Sequence, residues 1–364
     1  MPETPRVSVV MAVRNGVPYL EQAVDSILAQ TFTDLEFVII DDGSTDSTPE
    51  VLRRYQTADH RVRVLHQENA GLTPSLNRGC QLARGTYVAR MDADDVAFPD
   101  RLARQVEFLD RHPGVALLGS AVVRIDELGR EIKRSECPTS HAEIVRALTR
   151  YNCFTHPTVM LRKDMLAAVG GYREAYRQAQ DYDLWLRLSE RYEVANLAEP
   201  LLYYRVYASQ VSVRHLEQQI VSVVGARAAA AARKTGGTDP TPSEGHVTPE
   251  LLRAWGVPDA TLAEAIGEGY RYAVYLMQQV GRRQEAIELL RTGRRLSKGH
   301  GGLGPMLAGA CLKEARAAYQ AGHLRASIGW GLRAWQAQPW LPLQLLRGRP
   351  GAVRSEVGSA GASA

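Results

Sequence analysis

The sequence predicts an α/β fold, a mainly parallel sheet flanked by helices, followed by a helical C-terminal extension. Three observations carry it. Short apolar runs alternate with helix-periodic segments through the first hundred residues. The runs are apolar at consecutive positions, as strands covered on both faces are. Beyond about residue 215 the strand-like runs stop and a helical pattern takes over. In open sheets of this kind ligands bind beyond the carboxyl ends of the strands. The residues that directly follow each run are therefore the first place to look for a site.

Each element follows from local pattern. Residues 7–12 (Val-Ser-Val-Val-Met-Ala) form a short apolar run that ends in Arg14-Asn15-Gly16, a turn signal. Leu20, Ala23, Val24, Ile27 and Leu28 then recur with helical spacing. A second run, residues 35–40, ends in Asp41-Asp42-Gly43-Ser44, and a helix with Pro49 in its first turn follows. Residues 62–65 form the third strand, and a helix around residues 74–83 leads to a fourth at 87–91. That strand ends in Asp92-Ala93-Asp94-Asp95. A helix from about Pro99-Asp100 turns Leu102, Val106 and Leu109 inward, and residues 115–125 read as another strand. Residues 126–160 are mixed, with turns at Gly129 and Pro138, and Gly170-Gly171 marks a loop. Asp181 opens a helix with the apolar stripe Leu184, Trp185 and Leu188, and residues 201–206 are the last strand-like run. Residues 226–232 are Ala-rich and helical, and residues 235–249 have linker composition. Helix–turn–helix patterns around Gly281 and Gly322 suggest a helical extension, with a faint likeness to tetratricopeptide hairpins. Gly302-Leu303-Gly304 starts like a dinucleotide fingerprint, but Leu307 stands where a glycine is needed and no strand precedes it.

Composition removes several classes. A chain of 364 residues holds about two domains. With 45% hydrophobic and 23% charged residues it is globular rather than disordered. The longest apolar candidates, residues 115–123 and 220–232, are too short or broken by Arg227, so no membrane span is expected. The start of the chain has no basic run followed by an apolar one, so no export signal is expected. Cys80, Cys137, Cys153 and Cys311 lack C-x-x-C spacing, which points to reduced cytosolic thiols. The net charge of +4 is uneven: residues 1–214 hold 26 Lys/Arg against 29 Asp/Glu, and residues 215–364 hold 18 against 11. A basic tail behind an acidic front hints at an anionic partner.

The carboxylates at the strand ends carry the chemistry. Hard cations such as Mg²⁺ and Mn²⁺ take oxygen ligands, commonly one or two carboxylates with substrate phosphates. Asp92, Asp94 and Asp95 after a strand could supply them; a helix cap or tight turn would also favour Asp. The second acidic pair, Asp41-Asp42, favours the cation, because carboxylate clusters at one sheet edge repel unless something compensates.

Taken in order, the motifs resemble a known family. They are Val9-Val10-Met11-Ala12-Val13-Arg14-Asn15-Gly16, Ile39-Ile40-Asp41-Asp42-Gly43-Ser44-Thr45-Asp46, Asn69-Ala70-Gly71-Leu72 and Met91-Asp92-Ala93-Asp94-Asp95. His156-Pro157-Thr158-Val159-Met160, Val169-Gly170-Gly171-Tyr172 and Gln180-Asp181-Tyr182-Asp183-Leu184-Trp185-Leu186-Arg187 continue the series. Together they are similar to the successive motifs of family 2 glycosyltransferases, over about residues 5–212. The resemblance implies the GT-A fold over residues 1–214. A helix and linker at 215–249, a helical region at 250–345 and a disordered tail at 346–364 would complete the chain. It also implies an inverting transferase that uses a nucleotide-diphosphate sugar and Mn²⁺ or Mg²⁺, with a carbohydrate or lipid-linked acceptor.

The same resemblance implies residue roles. Asp42 or Asp41 would read the nucleotide base, with Ala12 and Arg14 lining that pocket. Asp92, with Ala93 beside it, would face the ribose or donor sugar, and Asp94 would hold the metal. Asp181 would be the catalytic base. Two departures stand out: Gln180 replaces a frequent Glu before the base, and Leu76-Asn77 replaces a frequent Arg-Asn. Asn77 is left as the nucleotide contact there. His156 suits either a diphosphate or acceptor contact or a structural turn. Asp183 suits a salt bridge, and Asp46 a helix start.

Two other classes compete. A sugar nucleotidyltransferase would need a Gly-rich phosphate loop with Arg and Lys, which residues 11–16 lack. A catalytically silent scaffold is disfavoured by intact Asp92, Asp94 and Asp181. The basic tail suits either a solvated helical surface or anionic headgroups at the inner face of the cell membrane. Arg333, Trp335, Trp340, Leu341, Leu343, Arg347 and Arg349 mix basic, aromatic and apolar character as interfacial segments do. No dense basic helix or recognised fold points to nucleic acid.

Overall fold

The structure, a computed structural model, describes residues 4–206, 213–279 and 282–338. Residues 346–364, and Trp340, Leu341, Leu343, Arg347 and Arg349, lie outside the described residues. The chain divides into two compact units between Pro258 and Asp259.

The first unit opens as the sequence pattern expects. Strands β1 (Val7–Val13), β2 (Leu35–Asp42), β3 (Val62–Gln67) and β4 (Tyr87–Arg90) are separated by helices α1 (Leu20–Leu28), α2 (Thr48–Ala58) and α3 (Leu72–Leu82). They lie parallel in the order β3-β2-β1-β4. One face packs Val9, Met11, Phe37 and Ile39 against Leu20, Ala23, Val24 and Ile27 of α1, all fully buried. The other face receives α3 so closely that a Cβ on Gly79 would fall 2.5 Å from the Val10 side chain. Asp46 accepts a hydrogen bond from the Thr48 N–H at 3.0 Å and so marks the start of α2.

The sheet continues with mixed directions. Strand β5 (Val96–Ala97) and helix α4 (Arg101–Arg111) precede β6 (Val115–Ile125) and β7 (Glu131–Arg134). Helix α5 (His141–Leu148), strand β8 (Met160–Arg162), helices α6 (Lys163–Ala168) and α7 (Gln180–Ser189) and strand β9 (Glu193–Arg205) follow. Strand β8 runs antiparallel to both β4 and β6, whereas β9 lies parallel to β6. The full order is β3-β2-β1-β4-β8-β6-β9-β5, with β7 on β6. Leu102, Val106 and Leu109 of α4 are buried as their spacing requires.

The segment read as helix and linker belongs to the first unit. Helix α8 (Val213–Lys234) reaches back through Arg227, which donates to the Tyr182 hydroxyl at 3.0 Å and to the Arg150 carbonyl. Arg233 pairs with Glu190 and Asp239, each at 2.7 Å, and Arg173 pairs with Asp239 at 2.8 Å. Tyr176 and Thr241 share a hydroxyl–hydroxyl bond of 2.6 Å, and the Val247 N–H donates to the Ala175 carbonyl at 3.0 Å. These bonds pin a Gly- and Pro-rich stretch that composition alone marks as free, and α9 (Pro249–Ala254) closes the unit. Burial alone would raise the Asp239 pKa. The Thr241 hydroxyl and N–H and the two guanidinium groups instead hold it far below the carboxylate range. Its stabilising effect is therefore present above the pKa of the unfolded chain and is lost as pH falls through that of the folded chain. Asp239→Ala is expected to cost about 2 kcal/mol, since it leaves two partly buried guanidinium groups without their shared partner. Thermal unfolding at pH 7 and pH 3 checks this. The deficit should be clear at pH 7 and smaller at pH 3, and equal midpoints at pH 7 would contradict it.

The second unit comprises α10 (Asp259–Gln279), α11 (Arg283–Leu296), α12 (Leu303–Gln320) and α13 (Leu324–Ala337). Successive helices pack on one another, and Gly322 turns the second hairpin at φ +78°. Gly302 caps α12 after a short 3-10 turn, so the Gly302-Leu303-Gly304 sequence follows a helix and not a strand. Among the described residues no helix is long and apolar enough to cross a membrane.

Candidate active site

The order β2-β1-β4 sets three polar strand ends side by side. The end of β1 is tied to the end of β2: the Asn15 N–H donates to Ser44 Oγ at 2.9 Å, and the Thr45 N–H to Asn15 Oδ1 at 2.8 Å. The Gly16 N–H donates to Thr48 Oγ1 at 2.8 Å. A Cβ on Gly16 would lie 3.6 Å from the Ala93 Cβ, so the loops after β1 and β4 also meet. Ala12 and Ala93 are half-buried on this edge, and Arg14 is exposed.

Asp41 and Asp42 are adjacent in a strand and so point to opposite faces. Asp42 is buried and accepts from the Ala70 N–H at 2.8 Å, the Gly71 N–H at 2.9 Å and Gln67 Nε2 at 2.8 Å. Burial pushes its pKa up, but these donors and Ser75 outweigh it and hold the group ionised. Asp42 thus anchors the Asn69-Ala70-Gly71 loop. Asp41 accepts the Ser44 N–H at 3.1 Å and meets His66 Nδ1 at 2.8 Å. In register it sits beside Val13, at the end of β1.

Asp92, Asp94 and Asp95 offer carboxylate oxygens that all lie within 4.8 Å of one another. Asp95 is 1% exposed, and its Oδ2 is buried without a hydrogen-bond partner. Burial, then the charges of Asp94 and Asp92, push its pKa well above the usual range. Crowded, partly unsatisfied hard oxygens of this kind fit a divalent cation. The loop is braced by Arg205. Its N–H donates to Asp95 Oδ1 at 2.8 Å, its Nε to the Asp94 carbonyl at 2.8 Å, and its guanidinium stacks on Tyr19 at 4.2 Å. Arg90, 2% exposed, donates to Asp92 Oδ1.

Asp181 lies in the first turn of α7, where the helix dipole favours a negative charge. Asn152 Nδ2 donates to its Oδ2 at 2.8 Å. Burial raises its pKa more than the Tyr182 N–H and Asn152 lower it. The result is a carboxylate more basic than one in water, which suits a general base. The Tyr172 phenol is held by burial well above its ordinary pKa. Its hydroxyl meets His156 Nε2 at 2.9 Å, and the His156 ring also packs edge-on against Trp185. Burial, then Arg90, holds His156 well below its ordinary pKa, so it is neutral and brings no positive charge to a diphosphate.

Two expectations change in role. Asn77, expected at the nucleotide, spends both ends of its amide on the backbone of Tyr172, at 2.9 and 3.0 Å. It fixes the Gly170-Gly171-Tyr172 loop. Asp42, as above, holds a loop. Asp183 pairs with Arg187 at 2.7 Å, and Leu184, Trp185 and Leu188 are fully buried, as their spacing implies. Sequence reasoning misses Arg90, Arg205, Asn152 and Tyr172 as supports of the site. Tyr172 stands inside a quoted motif and Arg90 directly before one, whereas Asn152 gives no local signal.

Gln180 is 5% exposed beside the base. A carboxylate there would be a second buried negative charge next to Asp181 and would raise its pKa further. Gln180→Glu is therefore expected to move the acid limb of the kcat/KM profile to higher pH by about one unit. An unmoved limb would separate the two side chains electrostatically.

Residues 8–170 match the family described as Glycosyl transferase family 2. The matched span holds the three strand ends and stops before Asp181. The chain is 36% identical over 205 residues to the O-antigen biosynthesis glycosyltransferase WbnJ of Escherichia coli, covering 55% of this chain and 80% of that protein. It is 35% identical over 197 residues to the amylovoran biosynthesis glycosyltransferase AmsE of Erwinia amylovora, covering 54% and 73%. The crystal structure of S. aureus TarS 1–349 in complex with UDP-GlcNAc aligns with a TM-score of 0.53 at 16% identity, over 92% of each chain. At that identity the likeness is one of fold.

Proposed function

This chain belongs to glycosyltransferase family 2, and from that premise we propose that it is a metal-dependent, inverting transferase. It moves a sugar from a nucleotide-diphosphate sugar to a hydroxyl of a carbohydrate or lipid-linked acceptor. The O-antigen and amylovoran relatives support a place in cell-surface polysaccharide or glycoconjugate synthesis. The observation that carries the reading is the cluster of Asp92, Asp94 and Asp95 at a strand end, whose carboxylate oxygens lie within 4.8 Å of one another. Asp181, in the first turn of α7 and raised in basicity by burial, is the candidate base.

The roles follow from the partners each group already has. Asp41 carries one donor on each oxygen, so each retains an acceptor position for the nucleotide base, with Ala12 and Arg14 alongside. Asp92, oriented by Arg90, faces the ribose or donor sugar. Asp94, with Asp92 and Asp95 near it, would hold Mn²⁺ or Mg²⁺. That cation, when bound, supplies Lewis-acid neutralisation of charge on the leaving diphosphate. Asp181 accepts the proton of the acceptor hydroxyl as its oxygen bonds to the anomeric carbon. The bond from that carbon to the diphosphate oxygen breaks on the opposite face, so the configuration inverts. Asn152 keeps the receiving carboxylate oriented throughout. The enzyme works in the cytoplasm, attached peripherally at the inner face of the cell membrane through its basic C-terminal region.

A thermal-shift panel of nucleotide sugars with Mn²⁺ or Mg²⁺ tests this reading. One nucleotide class at about 100 times its Kd should stabilise the protein by about 2.7 kcal/mol when metal is present. If no nucleotide raises the midpoint with either metal, the donor-binding reading fails.

A further inference from the structure

Helix α13 shows one apolar face to solvent. Leu324, Ile328, Leu332 and Trp335 are 59%, 56%, 57% and 54% exposed. At α-helical spacing these four positions fall within an arc of about 80°. The opposite face is already used: Ala334 and Ala337 are buried within the second unit. Four large side chains left in water along one line are a patch rather than scattered exposure.

Charge decides what the face fits. Helix α13 carries Arg325 and Arg333 and no acidic residue, and Arg325 borders the ridge by helical position. Over α12 and α13 together, Lys313, Arg316, Arg325 and Arg333 stand against the single acid Glu314. Arg333 stacks on Trp330 at 4.6 Å on the other side of the helix, which leaves Arg325 as the cation at the ridge. A second copy is a poor occupant. A twofold contact sets the same patch against itself, so arginines would approach arginines with no acid on either helix to compensate. A bilayer with anionic headgroups matches both features, taking apolar side chains below the headgroups and arginine at them.

We propose that the Leu324–Ile328–Leu332–Trp335 face of α13 is the surface by which this chain rests on an anionic lipid bilayer. This rests on the peripheral attachment put forward above and assigns it to one helix face.

The test is vesicle co-sedimentation of the full chain without donor or metal. The vesicles are phosphatidylcholine alone, or the same lipid with roughly 30% phosphatidylglycerol. The wild-type chain should bind the anionic vesicles and not the neutral ones. The double variant Ile328→Glu, Leu332→Glu should lose at least about tenfold in binding, with an unchanged melting midpoint, because both side chains already face water. Arg325→Ala leaves the apolar face intact and should lose about fivefold on anionic vesicles. If the wild type binds no vesicle, peripheral attachment itself is overturned. If it binds and the double variant binds equally, attachment stands and the α13 face is the wrong surface. A lower midpoint for the double variant would mean that the chain's own residues already cover the ridge. A dimer that the double variant splits, with no vesicle binding, would assign the face to a second copy.

Discussion

Asp181→Asn is expected to lower turnover about 10³-fold while leaving nucleotide affinity nearly unchanged. The substitution keeps the shape and removes only the ability to take a proton. Asp181 sits in the first turn of a rigid helix whose Leu184, Trp185 and Leu188 are fully buried, so the backbone has little reason to move. What changes is chemical: without a base the acceptor oxygen must attack while still protonated. Burial sets the sign of the pH dependence as well. The Asp181 pKa is raised, so activity should fall on the acid side at a pH above that of a carboxylate in water. Parallel measurements of kcat and of nucleotide Kd separate this loss from one of folding. A variant that still transfers sugar at more than a tenth of the wild-type rate would place the base elsewhere.

Asp94→Ala is expected to lower transfer by about 10³-fold or more and to abolish its response to added Mn²⁺ or Mg²⁺. The charge that builds on a leaving diphosphate is the largest to be stabilised in the reaction, and Arg90 already neutralises Asp92. The folded state should tolerate the change. Asp94 is only half-buried, and its removal lowers the repulsion that drives Asp95 toward the protonated form. A metal titration of both proteins in a nucleotide-release assay decides the matter. Equal activity and an equal metal response in the two would remove Asp94 from the metal site.

How much of this can be read from sequence depends on whether the signal is local. Residues 7–12 and 35–40 announce covered strands because all but one position in each, Ser8 and Glu36, is apolar, and their polar ends follow directly in the chain. Strand β8 escapes because it has three residues, Met160–Arg162, too few for any periodicity. The stretch 235–249 reads as a linker from its Gly, Pro and Thr, yet Arg173 and Tyr176, more than sixty residues earlier, hold its Asp239 and Thr241. The site divides in the same way. Asp94 and Asp181 are legible as motif residues. Asn152 gains its role only when folding brings it across 29 residues to Asp181, and Arg205 only when it crosses 110 residues to Asp95. Asn77 shows the converse. Its place in a motif suggests a ligand contact, whereas folding spends its amide on Tyr172.

A single displacement driven by one base fixes the anomeric configuration of the first product, and measuring that configuration tests the mechanism most directly. Donor hydrolysis suffices, with water as acceptor and an α-linked nucleotide sugar as donor, followed by NMR before the released sugar mutarotates. One attack assisted by Asp181 predicts the β-anomer as the initial product. An initial α-anomer would mean retention, and with it a second displacement that a lone base at Asp181 does not provide.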